Sequence, residues 1–170
     1  PYAPKVSGVM NGDFHYIADN GVMSVSSFVS VDKMAYEGCK IGDVASEFVY
    51  MPREGGKEHC VDGTFSVDDY EVCTLSGMYV TSGFGHLSAD VQLQRTPLLL
   101  LNGFMPDRLL NFKGYADGHV KLDGQLNRLD VDGELMFDSA YVASEPYGVE
   151  MRLCDDPVTI TDSKMQFENF

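Results

Sequence analysis

Polar and apolar side chains alternate without a break in the stretch His86-Leu87-Ser88-Ala89-Asp90-Val91-Gln92-Leu93-Gln94. Successive side chains of a β-strand point to opposite faces, so this pattern predicts a strand with one apolar and one polar face. The alternation recurs in residues 61–67, 129–137, 149–153 and 158–167. A parallel sheet covered on both sides would show continuous apolar runs instead. The sequence therefore predicts an all-β, antiparallel-rich fold of roughly ten to twelve strands, each of ~5–9 residues.

Asx-Gly dipeptides, which are typical of turns and bulges, punctuate these strands. Gly63, Gly124 and Gly133 fall inside alternating runs, on the apolar side. A glycine in such a place predicts a bulge, a sharp bend or a close backbone approach, and bends at one depth would curve the sheet. The dipeptides begin at Asn11, Asn20, Asp62, Asn102, Asp117, Asp123 and Asp132.

One segment, Thr96-Pro97-Leu98-Leu99-Leu100-Leu101-Asn102-Gly103, breaks the alternation. It predicts a short helical segment near 97–103, with Thr96 as the N-cap, Pro97 at the first helical position and Asn102-Gly103 at the end. We expect this segment to pack on the apolar face of the sheet, either as a fixed plug or as a gate that a ligand displaces. The residues of the candidate plug are Leu98, Leu99, Leu100, Leu101 and Phe104.

Length and charge bound the class of protein. The chain has 170 residues and no linker-like segment, which predicts one domain over 1–170. Its formal net charge of −14 disfavours nucleic acid and anionic membrane surfaces as partners. The longest apolar run, 98–101, is far shorter than a membrane helix requires. Because the chain begins with Pro1 and shows no signal peptide, we interpret it as a piece of a longer protein.

The sequence lacks the usual signatures of catalysis and of metal or cofactor binding, so we expect no enzyme, no metal and no cofactor. There is no G-x-S-x-G, no phosphate-binding loop and no CxxC pair. The four histidines, His15, His59, His86 and His119, are isolated, and we interpret them as residues of polar strand faces. The cysteines are expected to be free thiols, although disulfides stay open, and a hairpin at Asp68-Asp69 would place Cys60 opposite a residue near Met78. The four cysteines are Cys39, Cys60, Cys73 and Cys154.

Acidic clusters leave three readings open: calcium binding, the two carboxylates of a glycosidase, and a solvated face. The clusters are Asp68-Asp69, Asp155-Asp156 and the row formed by Asp130, Asp132 and Glu134. None matches a calcium loop, and alternate residues of one strand share a face, which favours the solvated reading.

A chain of this length with many one-sided strands can hide its apolar faces in a sandwich, in a barrel or by curling into a trough. In a trough of ~11 strands the groove would be at most ~50 Å long, because strands lie ~4.8 Å apart. Such a groove would bury acyl chains at ~0.8 kcal/mol per CH₂. The predicted lining, for which ordinary core packing is the alternative, is Phe65, Val67, Leu87, Val91, Leu93, Val120, Leu122, Leu126, Val131, Leu135, Phe137, Met151, Leu153, Ile160, Met165 and Phe167.

An ordered set of motifs resembles the carboxy-terminal domain region of TamB, the inner-membrane component of the translocation and assembly module, in its Bacteroidetes form and of the AsmA-like group. The family often has a proline shortly before its V-x-G-x-L strand, and none lies between Gly124 and Gly133. The resembling residues are Tyr36, Ile41-Gly42-Asp43, His59-Cys60-Val61-Asp62-Gly63, Leu75-Ser76-Gly77, Pro97-Leu98, Asn102-Gly103-Phe104-Met105-Pro106-Asp107, Gly114, Gly118, Leu122-Asp123-Gly124, Val131-Asp132-Gly133-Glu134-Leu135, Tyr147-Gly148, Asp162-Ser163 and Phe167.

The resemblance implies a segment of a periplasm-spanning β-trough in a diderm bacterium, anchored in the inner membrane by a segment outside this chain. It also implies that the protein conducts phospholipid or fatty-acyl chains toward the outer membrane. The protein would support outer-membrane biogenesis and protein assembly there, with a barrel protein of the same module as its partner.

Two further hypotheses stand beside the trough. The chain could be a non-enzymatic chaperone or docking module that binds outer-membrane β-barrel proteins by strand addition. Edge-to-edge self-association is expected under both of these hypotheses. A parallel β-helix acting on polysaccharide is disfavoured by irregular glycine spacing at 114, 118, 124 and 133.

Overall fold

The computed structural model describes residues 5–19, 22–36, 38–104, 109–153 and 157–167. Within them the chain forms eleven strands and one 3₁₀ segment, Leu98–Phe104. The strands are β1 (Val6–Asp19), β2 (Val22–Tyr36), β3 (Cys39–Arg53), β4 (Glu58–Val67), β5 (Tyr70–Val80), β6 (His86–Pro97), β7 (Asn111–Gln125), β8 (Arg128–Ser144), β9 (Val149–Arg152), β10 (Val158–Thr161) and β11 (Lys164–Phe167).

All eleven strands belong to one open, curled antiparallel sheet, which confirms the predicted all-β trough. Strands β1 to β8 lie side by side in chain order, followed by β10 and β11, while β9 pairs with β8. Each pair described is antiparallel, as expected for strands joined by hairpins. Nine intervals along this path span about 45 Å, which sets the length of the trough.

Most strands are longer than the sequence predicted. β1, β2, β3 and β7 have 14 or 15 residues and β8 has 17. In β1 and β7 the excess arises because two dipeptides interpreted as turns or bulges, Asn11-Gly12 and Asp117-Gly118, lie inside the strands and pair with their neighbours. Asn20-Gly21 lies outside the described residues.

The curvature comes from bulges that cluster at one end of the strands. Five strand pairs shift register there, at the end that carries the Asp68-Asp69 turn, here called the bulged end. Lys33 and Arg95 have positive φ at two of these shifts. Asp43 accepts a hydrogen bond from the Lys33 backbone N–H (2.7 Å), and Asp117 accepts one from that of Arg95 (2.8 Å). Carboxylates on neighbouring strands thus hold the bends that curl the sheet.

The glycines inside the alternating runs mark close approaches instead of bulges, since the register at Gly63, Gly124 and Gly133 is regular. A Cβ on Gly133 would lie 2.3 Å from the His119 carbonyl oxygen, and one on Gly63 would lie 2.5 Å from the Phe48 ring. A side chain does not fit at Gly133 without moving the backbone of β7.

The predicted helical segment is present, but its start differs from the prediction. Thr96 and Pro97 are the last residues of β6 and pair with β7, so Thr96 is not an N-cap. Its hydroxyl instead donates to the Val72 carbonyl oxygen on β5. Asn102 fixes the other end, because its Oδ1 accepts from the Phe112 N–H (2.6 Å) and its Nδ2 donates to the Phe112 carbonyl oxygen (3.0 Å).

Candidate functional site

The strand register places the apolar residues of successive strands side by side. One such row crosses five strands through Val61, Gly77, Ala89, Leu122 and Val131. Neighbouring rows add Leu75, Val91 and Val120 on the same side. Because the rows run across the strands, they form a continuous surface along the trough, here called the apolar face.

The apolar face is concave. The 3₁₀ segment follows β6 and contacts β7, and it also contacts β3, which lies four strands away from β7 in the sheet. One short segment can reach both strands only if the sheet curls around it. Leu98 of this segment is 7% exposed and packs with Ala116 and Ala140, which identifies the enclosed side as the apolar one.

Two small clusters bury parts of this face at the bulged end. The first joins β6, β7 and β8 with the 3₁₀ segment, and its partly buried members include Leu93, Phe112, Phe137 and Leu153. The second cluster contains Val44, Val67 and Val72, with Met34, Ile41 and Phe65 packed against it.

Away from these clusters the apolar face remains accessible. No large side chain among the described residues is fully buried, although a closed core of this size would hold several. Val91, Val120, Leu122 and Val131 are only partly buried, and Phe48 is 41% exposed. The residues of the face therefore retain contact with solvent that a ligand could remove.

The structure brings most of the predicted lining together. Leu126 is an exception, because it lies in the β7–β8 turn, off the sheet, and is 61% exposed. Met151 of β9 pairs with the buried Val142 of β8 but is itself 55% exposed. Leu153 follows β9 and packs against the first cluster. The residues that share the apolar face are Phe65, Val67, Leu87, Val91, Leu93, Val120, Leu122, Val131, Leu135, Phe137 and Ile160.

Besides Leu98, six residues of the candidate plug and lining lie in the 3₁₀ segment and in β11. Leu99 and Leu100 are partly buried and Leu101 is exposed within the 3₁₀ segment. Met165 and Phe167 lie in β11, in register with Ile160 and Val158. The side chains of Met165, Phe167 and Phe104, and all of Cys154 and Asp155-Asp156, are outside the described part of the chain.

Sequence reasoning missed the part of the apolar face formed by β1, β2 and β3. Phe14 of β1 pairs with Ser27 of β2, which pairs with Phe48 of β3. In the same way Tyr16 pairs with Val25, which pairs with Tyr50. The signal there is weaker than in 86–94, because Asn11-Gly12 interrupts residues 10–16 and was interpreted as a turn or bulge. In residues 44–50 Ser46 lies on the apolar face and Val49 on the polar face, so the alternation is not clean.

One histidine lies on the opposite face from the one predicted. His59 is on the apolar face, where its ring stacks on Tyr50 with centroids 6.0 Å apart and lies 6.2 Å from that of Tyr79. Tyr50 Oη and His59 Nδ1 are 2.7 Å apart. These amphipathic rings therefore lie on the apolar face, near the end opposite the bulged one.

The cysteines divide between the two faces. Cys73 pairs with Phe65 and Leu93, so it lies on the apolar face, and burial raises the pKa of its thiol. Cys60 pairs with Met78, as the sequence predicted, and lies on the opposite, polar face. Both thiols are free, as is that of Cys39.

The polar face carries the charge. Asp130, Asp132 and Glu134 alternate along β8 and are exposed, as predicted for a solvated row. Hydrogen bonds from His86 (3.1 Å) and Ser88 (3.0 Å) lower the pKa of the Asp123 carboxyl. Among the described residues no group of three or more His, Cys, Asp or Glu could hold a metal ion. Nor does the described part of the chain include a helix long and apolar enough to cross a bilayer.

The chain matches no protein-family model, no curated protein and no solved structure. Its functional interpretation therefore depends on the geometry of the sheet and on the resemblance of its motifs.

Proposed function

We propose that the chain is a segment of a lipid-conducting β-trough that binds acyl chains of phospholipids on its apolar face. The observation that carries this proposal is a continuous, concave apolar surface whose side chains are only partly buried. On this view the segment belongs to a TamB-like protein of the cell envelope, which moves lipid across the periplasm toward the outer membrane and supports assembly there.

The proposed mechanism is desolvation, with no bond made or broken. Each methylene that leaves water for the apolar face contributes ~0.8 kcal/mol. Side chains such as Val91 and Leu122 would lose their remaining contact with water at the same time. Because apolar residues lie side by side on β5, β6 and β7, a bound chain can shift across these three strands without crossing a polar side chain.

Two of the native thiols, those of Cys73 and Cys60, provide a test that needs no substitution. The delipidated protein is incubated with vesicles of equimolar dioleoyl phosphatidylethanolamine and phosphatidylglycerol, and maleimide labelling is followed by mass spectrometry. We expect lipid to slow labelling of Cys73 about tenfold, because a chain on the apolar face covers it. Cys60, on the polar face, is the internal control and should label at an unchanged rate. Equal rates at Cys73 with and without lipid would contradict the proposal.

A pair of variants extends this test to lipid capture. Val120→Asp places a charge in the middle of the apolar face, whereas Met136→Asp places it on the polar face, where Met136 is 51% exposed. Native mass spectrometry and analysis of the organic extract should show that lipid is lost from the first variant and kept by the second. Circular dichroism checks that both variants fold. Photo-crosslinking of the wild type with a diazirine-bearing acyl chain identifies the residues that contact lipid without relying on either variant.

A second candidate function, docking of a β-barrel protein by strand addition, is favoured by the edge strand β1. This strand has 14 residues, ends the sheet and exposes Phe14 and Met10. Long apolar edges pair readily with other strands. Ile17→Lys should weaken such pairing in analytical ultracentrifugation and leave lipid capture unchanged. A protein that captures no lipid but binds barrel-derived β-hairpin peptides through β1 would favour docking.

A further inference from the structure

The described residues form a cleft of about 640 Å³ at the bulged end. It lies between the β4–β5 turn and the start of the 3₁₀ segment. Ligand pockets of proteins commonly have 300–1,000 Å³ and combine an apolar lining with a few polar groups. The cleft has this composition, and its lining is Ile41, Val67, Asp68, Asp69, Tyr70, Glu71, Val72, Gln94, Arg95, Pro97, Leu99 and Tyr115.

The floor of the cleft is continuous with the apolar face. Val67 and Val72 belong to the buried cluster of that face, and Ile41 packs against them. Leu99 comes from the 3₁₀ segment, which covers the face at this end. The cleft therefore opens onto the same surface that we propose for acyl chains.

Arg95 supplies the one cation of the cleft lining. The β6 bulge gives Arg95 a φ of 45°. Its guanidinium lies 4.7 Å from the ring centroid of Tyr115, and its Nη1 is 3.2 Å from an Asp138 carboxylate oxygen. The Arg95 side chain is 62% exposed, and a guanidinium has five N–H donors. Donors beyond the one bound to Asp138 can therefore meet a phosphate, which matches the planar fork of arginine.

The cleft lining also contains three carboxylates. Asp68 accepts a hydrogen bond from the Asp43 backbone N–H (2.8 Å), whereas Asp69 and Glu71 are exposed beside it. The cleft lining therefore carries a net negative charge, as does the whole chain, whose net charge is −14. Such a site attracts an ammonium group and opposes a headgroup that carries net negative charge.

We infer that this cleft binds the headgroup of an amine-bearing, zwitterionic phospholipid of the phosphoethanolamine class. The phosphate pairs with Arg95, the ammonium group pairs with Asp69 and Glu71, and the acyl chains enter the apolar face over Val67 and Val72. This inference rests on the proposed function and adds to it a preference between headgroups.

The test measures headgroup preference and total uptake separately. The protein is incubated with vesicles of equimolar dioleoyl phosphatidylethanolamine and dioleoyl phosphatidylglycerol, and bound lipid is quantified by native mass spectrometry. Wild type should take up the ethanolamine lipid in about fivefold excess, which is of the order expected for exposed charge pairs. The variant D69N/E71Q should bind the two lipids equally, because its uptake of the ethanolamine lipid falls, and Arg95→Gln should reduce the uptake of both.

The matched control is D130N/E134Q, which removes the same charge from the exposed row on the polar face of β8. Its preference should equal that of wild type. Equal uptake of both lipids by wild type, or a preference that survives in D69N/E71Q, would overturn the headgroup site and leave the trough in place. Uptake of neither lipid would overturn the trough and this inference together.

Discussion

The two halves of the apolar face have the same strand pattern but different surroundings. In the half formed by β6, β7 and β8, the 3₁₀ segment covers the face, and Leu98 and Ala140 are 7% and 0% exposed. In the half formed by β1, β2 and β3 the 3₁₀ segment contacts β3 less extensively than it contacts β7, and Phe14 of β1 is 74% exposed. Alternation thus fixes which side chains share a face, whereas the degree of burial is fixed by what lies on that face.

The largest expected effect follows directly from this difference. Leu98→Ala removes the side chain that joins the 3₁₀ segment to β7 and β8, and should lower the free energy of unfolding by about 3 kcal/mol. Phe14→Ala removes a larger side chain from the uncovered half and should cost less than about 0.5 kcal/mol. Urea unfolding followed by circular dichroism measures both values. Similar losses at the two positions would mean that the two halves are equally packed.

A pair of glycines tests the same contrast through the backbone. Gly133→Ala would bring a Cβ to 2.3 Å from the His119 carbonyl oxygen, which forces β7 and β8 apart. We expect a loss of about 2 kcal/mol, in the range of overpacked cores. In Gly12→Ala the nearest atom is at 3.2 Å, so the change in stability should be within about 0.5 kcal/mol of zero. A tolerated Gly133→Ala would show that the sheet is looser here than its register indicates.

Much of the fold was predictable because strand alternation is a local property. The uninterrupted pattern in 86–94 predicted β6, and the Asp68-Asp69 hairpin predicted the pairing of Cys60 with Met78. The face of His59 was predictable too, since it lies two residues before Val61 and therefore shares its side of β4. His59 was assigned to the polar face because its side chain is polar, although its position along the strand places it on the apolar face.

Other features had no local signal. Lys33, Arg95 and Ser139 adopt positive φ at or beside bulges, although none is a residue type that favours this conformation. The carboxylates that bind two of these bulges come from other strands, so only the three-dimensional pairing shows them. For the same reason, the sequence could not predict that Thr96 would donate to the Val72 carbonyl oxygen or that Arg95 would lie beside a cleft.

The attachment of the 3₁₀ segment offers a smaller and more specific test of the covered half. Asn102→Ala removes the hydrogen bonds that tie the segment to Phe112 and leaves a partly buried N–H without its side-chain acceptor. The free energy of unfolding should fall by about 1.5 kcal/mol. Hydrogen exchange should accelerate in the segment and stay unchanged in β1 and β2.

The same variant separates a fixed plug from a gate. If lipid displaces the segment, Asn102→Ala should capture more lipid than wild type under identical conditions. If the segment is fixed packing, lipid capture should stay the same while stability falls. The matched variant is Asn127→Ala, in the exposed β7–β8 turn, which should change neither quantity.

The smallest effect is expected on the polar face of the strands that the plug covers. Asp123 lies on β7 and accepts hydrogen bonds from His86 and Ser88 of β6, which lower the pKa of its carboxyl. The folded state therefore binds fewer protons than the unfolded state as pH falls toward the ordinary carboxyl range, so the ionised Asp123 stabilises the fold above about pH 4. This contribution is lost as pH falls through the lowered pKa. Asp123→Asn should be slightly less stable than wild type at pH 7, and the difference should shrink as pH falls through the lowered pKa. The effect should be small because the carboxylate is exposed to water and salt. A loss of stability at pH 7 as large as that of Leu98→Ala would show that pairing on the polar face stabilises this half as much as the 3₁₀ segment on the apolar face does. That result would contradict the comparison of the two halves made above.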